Sequence, residues 1–214
     1  MAREDFYDSL FGAVYSSYMD YPLLGRPIAR AVWGGSAKRY YESMAAVAGA
    51  SEDATIVDCP CGAGPALRAL SAVSSARYVA ADLSPSMLRR VRAKAKKLGL
   101  PNVEAIEADA TALPLDTGSA DLFLSYWGIH VFDDPRSAVA EIARVLKPGG
   151  RLVGSTFVNE PEGLRQRLLL RPHAGDFGPL CTEHELREWL SEAGLELEES
   201  SRSGPMFFFA ARAR

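Results

Sequence analysis

The stretch that decides the fold is Asp58-Cys59-Pro60-Cys61-Gly62-Ala63-Gly64, which follows the apolar run Thr55-Ile56-Val57 and precedes residues 65–70. This pattern predicts a buried strand, a tight glycine turn and a helix. Glycine tolerates positive φ angles and has no Cβ, so Gly62 and Gly64 allow a ligand to approach the backbone closely. The carboxylate of Asp58 at the strand end would repel a pyrophosphate, but it accepts a ligand with a cationic or amino acid end. We therefore expect a nucleotide-like cofactor of that kind at this turn.

The same stretch resembles motif I of the class I S-adenosylmethionine-dependent methyltransferases, which usually reads Asp/Glu-x-Gly-x-Gly-x-Gly. Asp58, Gly62 and Gly64 match the motif, and Pro60 stands at the first glycine position. Proline fixes φ near about −65° and has no amide donor, so this position needs neither a positive φ nor an amide contact. The resemblance implies S-adenosylmethionine as cofactor and S-adenosylhomocysteine as product, with Pro60 and Cys61 among the residues that line the cofactor.

Length and composition favour one domain with a small cap. The chain has 214 residues, of which 48% are hydrophobic, and a formal net charge of −3. It has no strongly basic stretch, which disfavours a nucleic acid as substrate. No apolar run approaches the ~20 residues of a membrane span. The charged N-terminus lacks the apolar core of a signal peptide. We therefore expect a cytoplasmic protein without a membrane span.

The cysteine pattern predicts reduced thiols and no metal site. The three cysteines are Cys59, Cys61 and Cys181. An odd number of cysteines without export argues against a disulfide framework. The spacing Cys59-x-Cys61 is not a usual zinc spacing, and both residues are expected to pack as small side chains around the first strand.

Strand and helix patterns alternate from Ala54 to Phe157, as in a parallel sheet covered by helices on both faces. Strands are predicted at residues 55–59, 77–81, 103–107, 121–125 and 151–157, with two final strands at 195–199 and 206–211. Helices are predicted at residues 37–48, after Gly64, after Ser84-Pro85, after Asp134-Pro135 and after the capping box Thr182-x-x-Glu185.

The methyltransferase resemblance, which is closest over residues 54–158, implies the fold. That fold is α/β and Rossmann-like, with a seven-stranded, mostly parallel sheet in the order 3-2-1-4-5-7-6, an antiparallel strand seven and helices on both faces. We divide the chain into an N-terminal helical cap, residues 1–50, and a domain that binds S-adenosylmethionine, residues 51–214. Residues 159–181 interrupt the alternation and are expected to form a substrate lid.

Aromatic residues recur at helical spacing in the cap. They either pack on the main domain or close over the cofactor, because the family often closes its site with an aromatic residue from an N-terminal helical segment. On that resemblance Tyr15 and Tyr18 are candidates to touch the cofactor or the substrate, and we assign Tyr18 to the cofactor.

The resemblance also implies roles for residues at the ends of the next strands. Asp82, 24 residues after Asp58, ends the second strand, where a carboxylate accepts hydrogen bonds from a ribose diol. Asp109 and Ala110 follow the third strand and match the position that holds the adenine amino group and ring. Leu83 and Met87 supply apolar contacts to the adenine, although a methionine at helical spacing also suits the core.

The end of the fourth strand is expected to lie beside the reacting groups. In an open α/β sheet, ligands bind outside the carboxyl ends of the strands near the topological switch. This places Ser125 and Tyr126 near the methionine part of the cofactor, and Trp127 and His130 near the acceptor. His130 is the candidate general base, because its ordinary pKa is near neutrality, but it also suits a role in filling space or orienting a neighbour.

Three other residues with reactive side chains receive weaker interpretations. His173 in the expected lid is a second candidate for a site role, whereas His184 in the first turn of a helix is expected to be solvated. Cys181 would act as a nucleophile only beside an activating group, and the sequence shows none.

We predict a methyltransferase that transfers a methyl group to an O, N or C atom of a small molecule. It most resembles the small-molecule branch that includes the ubiquinone/menaquinone-biosynthesis C-methyltransferases. One alternative is a non-catalytic module that binds S-adenosylmethionine, since fold does not fix function. The other is an NAD-dependent oxidoreductase, but the dinucleotide fingerprint wants glycine where this chain has Leu67. The acceptor and the oligomeric state stay open, a homodimer being one alternative.

Overall fold

The computed structural model describes residue 27 and residues 38–70, 75–160 and 180–214. The strands are β1 (Thr55–Asp58), β2 (Arg77–Asp82), β3 (Val103–Glu107), β4 (Ala120–Tyr126), β5 (Leu146–Phe157), β6 (Leu195–Ser203) and β7 (Met206–Ala213). The α-helices are α1 (Lys38–Ser43), α2 (Ala45–Ala48), α3 (Pro85–Leu98), α4 (Pro135–Val145) and α5 (Glu183–Glu192). Two 3₁₀ helices span Pro65–Ala69 and Ile129–Val131.

The seven strands form one sheet in the order β3-β2-β1-β4-β5-β7-β6, which confirms the predicted topology. Strands β1 to β5 pair in parallel, and β7 is antiparallel to both β5 and β6. Because β1 to β5 run the same way, their last residues meet at one edge of the sheet, which we call the carboxyl edge. The opposite edge, where these strands begin, is the amino edge.

Alternate residues of the central strands pack into two hydrophobic cores, one on each face of the sheet. Ile56 and Tyr78 belong to one cluster of buried side chains, whereas Val57 and Val79 belong to the other. A parallel strand buried on both faces therefore reads as a nearly continuous apolar run. An acidic residue at the end of such a run, such as Asp58, stands out in the sequence for the same reason.

Helix α3 follows the predicted start and stop signals. The Ser84 side chain accepts a hydrogen bond from the Met87 N–H at 3.4 Å, and Pro85 occupies the first turn. Gly99 ends the helix with a φ of 68°, a conformation that favours glycine. Helix α3 therefore begins three residues after Asp82, and the short connection fixes the positions of Leu83 and Ser84.

Several boundaries differ from the prediction, and strand β6 ends at Ser203 rather than at residue 199. Strand β5 begins at Leu146 rather than Arg151, because Lys147-Pro148-Gly149-Gly150 forms an irregularity within the strand, where the register with β4 shifts between Ala120 and Leu122. The helix after Gly64 is the short 3₁₀ helix Pro65–Ala69. The helix predicted at residues 37–48 is divided into α1 and α2.

Most of the predicted cap and of the predicted lid lies outside the described residues, as do Tyr15, Tyr18 and His173. Within the described ranges, no helix is both long enough and apolar enough to cross a membrane. No group of three or more His, Cys, Asp or Glu side chains in the same ranges could hold a metal ion.

Candidate functional site

The glycine turn after β1 is held against β2 by backbone hydrogen bonds. The Cys61 N–H donates to the Ala81 carbonyl at 2.9 Å, and the Gly64 N–H donates to the Cys61 carbonyl at 2.9 Å. Gly62 and Gly64 have φ angles of 50° and 69°. A Cβ on Gly64 would stand 2.9 Å from Leu67 Cδ1, whereas a Cβ on Gly62 would meet no atom within 4 Å. Gly64 is therefore required by backbone and packing, while Gly62 faces open space at the carboxyl edge.

Asp58 lies at the end of β1 and is 2% exposed. The Tyr78 hydroxyl donates a hydrogen bond of 2.6 Å to its Oδ2 atom. Burial raises the pKa of Asp58 to about 7, although the Tyr78 hydrogen bond acts in the opposite direction, and the negative charge of Asp82 adds to the rise. Near neutral pH this carboxyl group is therefore close to the point where it gains or loses its charge.

Asp82 joins the end of β2 to the glycine turn. Its Oδ2 accepts the Gly62 N–H at 2.8 Å, and its Oδ1 accepts the Ser84 N–H at 2.9 Å. Burial raises the pKa of Asp82, and the two backbone hydrogen bonds oppose that rise. Each carboxylate oxygen has two acceptor sites, so both keep capacity for a further donor such as a hydroxyl group.

Leu83 and Met87 differ sharply in exposure. Leu83 is 61% exposed and is the one large hydrophobic side chain among the described residues to be so exposed. Met87 is 2% exposed and lies on the buried face of α3. Leu83 therefore offers an apolar surface beside Asp82, whereas the position of Met87 suits a core residue.

Asp109 and Ala110 follow β3 at the same edge. The Asp109 Oδ1 accepts the Thr111 N–H and the Thr111 hydroxyl, both at 2.8 Å. This local hydrogen bonding orients an exposed carboxylate. Ala110 is 5% exposed and packs in the core beside it.

The end of β4 is tightly packed against the glycine turn. Ser125 is fully buried, and its Oγ has no hydrogen-bond partner among the described residues. A Cβ on Gly128 would stand 2.3 Å from that Oγ and 2.5 Å from Pro60 Cδ. Burial raises the pKa of the neighbouring Tyr126 well above its ordinary range. Ser125 therefore brings an unused polar atom to the point where β4, Pro60 and Gly128 meet.

Trp127 adopts a φ of 56°, the one positive φ of a non-glycine residue in the described ranges. Such a conformation is a genuine outlier for a bulky side chain and persists only where the surroundings impose it. Here the Trp127 N–H donates to the Ser155 carbonyl on β5 at 2.7 Å. The chain is thereby turned out of the sheet at the carboxyl edge.

An aromatic cluster packs around Trp127. Trp127 packs edge to face against Tyr40 of α1 and Phe157 of β5, with ring centroids 6.0 Å and 5.4 Å apart. Tyr40 also meets Tyr126, with centroids 5.5 Å apart. These four rings, which we call the aromatic wall, lie at the carboxyl ends of β4 and β5. Tyr40, Tyr126 and Phe157 are buried, whereas Trp127 is half-buried.

His130 lies within the core rather than on the surface of the site. It is 2% exposed, and its Nδ1 accepts the Phe157 N–H at 3.2 Å. The Thr156 hydroxyl lies 3.1 Å from the same nitrogen. Burial lowers the pKa of His130 to about 3, so the ring stays neutral at physiological pH. This environment favours the alternative in which His130 orients a neighbour and fills space.

The three thiols, all of which lie in the described part of the chain, show no sign of activation. Burial raises the pKa of the Cys181 thiol to about 11 and the pKa values of the Cys59 and Cys61 thiols well above their ordinary range. Buried thiols held protonated are weak nucleophiles and weak metal ligands. His184 is exposed and lies 3.3 Å from the Glu188 carboxylate, one helical turn further on.

Sequence reasoning missed several residues of this site, among them Tyr78 and Gly128. Tyr78 reads as an ordinary apolar strand residue, and its contact with Asp58 depends on the register of β1 against β2. Gly128 follows a strand, where glycine often marks a close backbone approach, so a signal for it was present. The structure brings Asp58, Asp82 and Ser125 together around the turn, whereas the roles assigned to them stay predictions.

Comparison with known proteins identifies relatives of the region that carries this site. A family model described as a methyltransferase domain matches residues 57–154. The chain is 41% identical over 112 residues to a demethylmenaquinone methyltransferase of Clavibacter sepedonicus, covering 52% of this chain and 44% of that protein. It is 30% identical over 195 residues to an uncharacterized chloroplastic methyltransferase of Arabidopsis thaliana, covering 84% of this chain and 54% of that protein.

A solved structure extends the likeness to the fold. A SAM-dependent methyltransferase from Aquifex aeolicus superposes with a TM-score of 0.65 at 22% identity, covering 87% of this chain and 93% of that one. The alignments with these two curated relatives span about half of the length of each relative.

Proposed function

Because the chain belongs to the class I S-adenosylmethionine-dependent methyltransferases, we propose that it transfers the methyl group of S-adenosylmethionine to a small, apolar acceptor. The observation that carries this proposal is the meeting of Asp58, Asp82 and the open turn at Gly62 on the carboxyl edge. Ligands of open α/β sheets bind at this edge, next to the point where the strand order reverses.

The adenosine part of the cofactor fits the ends of β2 and β3. Asp82 is already oriented by two backbone donors and keeps acceptor capacity for the ribose hydroxyls. Leu83, 61% exposed, covers one face of the adenine, since burial of an exposed apolar side chain against a ring is favourable. Asp109 accepts the adenine amino group beside Ala110.

The methionine part fits the ends of β1 and β4. Asp58 holds the cationic amino group of the cofactor, and this favours the charged form of a carboxyl group whose pKa burial has raised to about 7. The unpartnered Ser125 Oγ is a further hydrogen-bonding atom at the same place. Pro60 and Cys61 shape the turn between them.

Methyl transfer from a sulfonium requires few acid–base groups from the protein. The bound sulfonium supplies an electrophilic methyl group that a nucleophile attacks in line. The contribution of this chain is to orient the two reactants and to exclude water. His130, buried and neutral, supports the aromatic wall through Phe157 rather than taking a proton. The transfer therefore proceeds by positioning, with acceptors that need no strong base.

The acceptor lies against Trp127, the half-buried member of the aromatic wall, and the buried rings of Tyr40 and Phe157 pack against Trp127 edge to face. Rings of this kind favour an apolar and preferably planar molecule. Beyond the end of β5, the Asn159 N–H donates to the Cys181 carbonyl at 2.9 Å. The Glu160 carboxylate also accepts the Glu183 N–H at 2.9 Å, at the start of α5.

A transfer assay tests the proposal. The protein is incubated with S-adenosylmethionine labelled in the methyl group and with acceptors of two kinds: planar apolar quinols and phenols, and polar amines and amino acids of similar size. We expect label only in the apolar set, and its loss with Asp58→Asn. Label in the polar set would contradict the proposed acceptor class. Tight cofactor binding without transfer to any acceptor would support the non-catalytic module instead.

A further inference from the structure

Asp58 of the glycine-turn motif accepts a hydrogen bond from Tyr78, a residue that lies outside that motif. Tyr78 lies within β2 and is fully buried, and its hydroxyl reaches Asp58 Oδ2 at 2.6 Å. The register pairs Ile56 with Tyr78 and Asp58 with Ala80. Since side chains two residues apart share a face of the sheet, the small Ala80 opposite Asp58 leaves room for the tyrosine ring to extend along the strand.

We propose that Tyr78 is a positioning residue, which acts through Asp58 by fixing its carboxylate for the amino group of S-adenosylmethionine. The inference rests on the proposed function, because it assigns the methionine end of the cofactor to Asp58. Tyr78 is buried in the cluster of core side chains that includes Ile56, so it would act on the cofactor without touching it.

The geometry explains why a second residue is needed. A carboxylate that is 2% exposed has lost most of its water, and a donated hydrogen bond replaces part of that solvation. One Asp58 oxygen is engaged by Tyr78, which restrains rotation of the group and leaves the other oxygen for the cofactor. The same bond favours the charged carboxylate, and so keeps the pKa from rising further.

The titratable groups that surround Asp58 come from four elements. Tyr78 and Asp82 lie on β2, Tyr126 on β4, Lys94 on α3, and Cys59 and Cys61 on the turn. Burial holds both thiols and both tyrosines protonated near neutral pH. The negative charge of Asp82 raises the pKa of Asp58 and the positive charge of Lys94 lowers it. Loss of the Tyr78 hydroxyl changes none of these charges.

Tyr78→Phe is the direct test, because it keeps the ring and removes only the hydroxyl. Titration calorimetry compares three ligands: S-adenosylmethionine, S-adenosylhomocysteine and 5′-methylthioadenosine, which lacks the amino acid end. We expect Tyr78→Phe to weaken the first two by about tenfold near neutral pH and the third by less than about twofold. An equal loss for all three ligands would indicate a packing defect and overturn the proposal.

The pH profile and a double mutant sharpen the test. Affinity for S-adenosylhomocysteine is expected to fall as the pH drops below about 7 in the wild-type protein, and to begin falling at a higher pH in Tyr78→Phe. Titration of the ligand amine is common to both proteins and cancels in the comparison. In an Asp58→Asn background, Tyr78→Phe should add no further loss. An unchanged profile, or a full additional loss in that background, would contradict the proposal.

A measurement on the wild-type protein keeps the inference testable should Tyr78→Phe fail to fold. With carbon-13 labelling at tyrosine Cζ, one resonance should shift as Asp58 titrates near pH 7. This pH-dependent shift should be absent in Asp58→Asn. No tyrosine resonance with this behaviour would overturn the inference. If the wild-type protein binds none of the three ligands, the proposed function fails first and the role of Tyr78 falls with it.

Discussion

The two edges of the sheet treat their carboxylates in opposite ways. At the amino edge, Asp121 accepts Lys147 Nζ at 2.7 Å and the Thr55 N–H at 2.8 Å. Partial burial alone would raise the pKa of Asp121, but these bonds outweigh it and hold the pKa below its ordinary value. At the carboxyl edge, Asp58 and Asp82 receive their hydrogen bonds from a hydroxyl and backbone N–H groups, and burial raises both pKa values.

The difference distinguishes a carboxylate whose charge is compensated within the fold from the two carboxylates of the proposed cofactor site. A carboxylate satisfied by a lysine, as at the amino edge, has its charge compensated within the fold. Asp58 and Asp82 are desolvated, and the hydrogen bonds that they accept from the described residues come from neutral donors, so a cationic or hydroxyl-bearing ligand has most to gain there. Burying these carboxylates lowers the stability of the folded chain, and they lie at the edge where ligands of this fold class bind.

Removal of the charge at Asp58 should have the largest effect on affinity. Asp58→Asn keeps the side-chain shape and the acceptor for Tyr78, but it no longer attracts the cofactor amino group. We expect the Kd for S-adenosylmethionine to rise about 100-fold, about 2.7 kcal/mol, in calorimetric titrations at about pH 8. A Kd within about threefold of wild type would remove Asp58 from the cofactor site.

The same substitution should stabilise the protein in the absence of cofactor. Burial raises the folded pKa of Asp58 from 3.8 to about 7, so the folded state retains a proton that the unfolded chain has lost. That contribution to stability is present below the unfolded pKa and is lost as the pH rises through about 7. Asp58→Asn should therefore raise the free energy of unfolding by on the order of 2 kcal/mol at about pH 8 and by much less at about pH 4.

Urea denaturation of both proteins at the two pH values measures this difference. An equal change at both values would mean that Asp58 does not titrate between them in the folded state.

Asp82→Ala is expected to weaken S-adenosylmethionine binding by at least about tenfold, about 1.4 kcal/mol. The substitution removes the proposed ribose acceptor and the bond to the Gly62 N–H. Asp116→Ala is the matched control, since it removes an exposed carboxylate from the loop before β4. Unchanged affinity in a folded Asp82→Ala protein would refute the ribose assignment.

Leu83→Ala tests the apolar contact with the adenine. Because Leu83 is 61% exposed, its truncation should leave the melting temperature almost unchanged. Affinity should fall about threefold for both S-adenosylmethionine and 5′-methylthioadenosine, because both carry the adenine. A selective loss for S-adenosylmethionine alone would place Leu83 elsewhere in the site.

The smallest effect is expected at the amino edge. The Lys147–Asp121 pair is partly exposed, with side chains 42% and 37% accessible, so its net contribution is modest. Lys147→Met should lower the free energy of unfolding by less than about 1 kcal/mol and leave cofactor affinity unchanged. A clear loss of affinity in this variant would break the proposed division between the two edges.

Much of the fold could be predicted from the sequence because its signals are local. The apolar runs, the turn at Gly62 and Gly64 and the cap at Ser84 each depend on a few neighbouring residues. The irregularity at residues 147–150 could not be predicted, because it depends on how β5 shifts against β4.

The site could be predicted only in part, for the same reason. Asp58 and Asp82 end their strands, so their place at the carboxyl edge follows from the strand direction. The bond from Tyr78 requires the register of two strands, and the burial of His130 requires the path of the chain after Trp127. A histidine beside an acceptor site suggests a base, but burial of this ring among Thr156 and Phe157 suits support of the wall.

The most direct test of the account is calorimetric titration of the purified protein with S-adenosylmethionine, S-adenosylhomocysteine and NAD in parallel. The account predicts micromolar binding of the two sulfur compounds and no binding of NAD, because Asp58 favours a cationic amino acid end and would repel a pyrophosphate. Failure of the folded protein to bind either sulfur compound would contradict it, and would direct attention to Pro60, where the turn departs from the glycine motif.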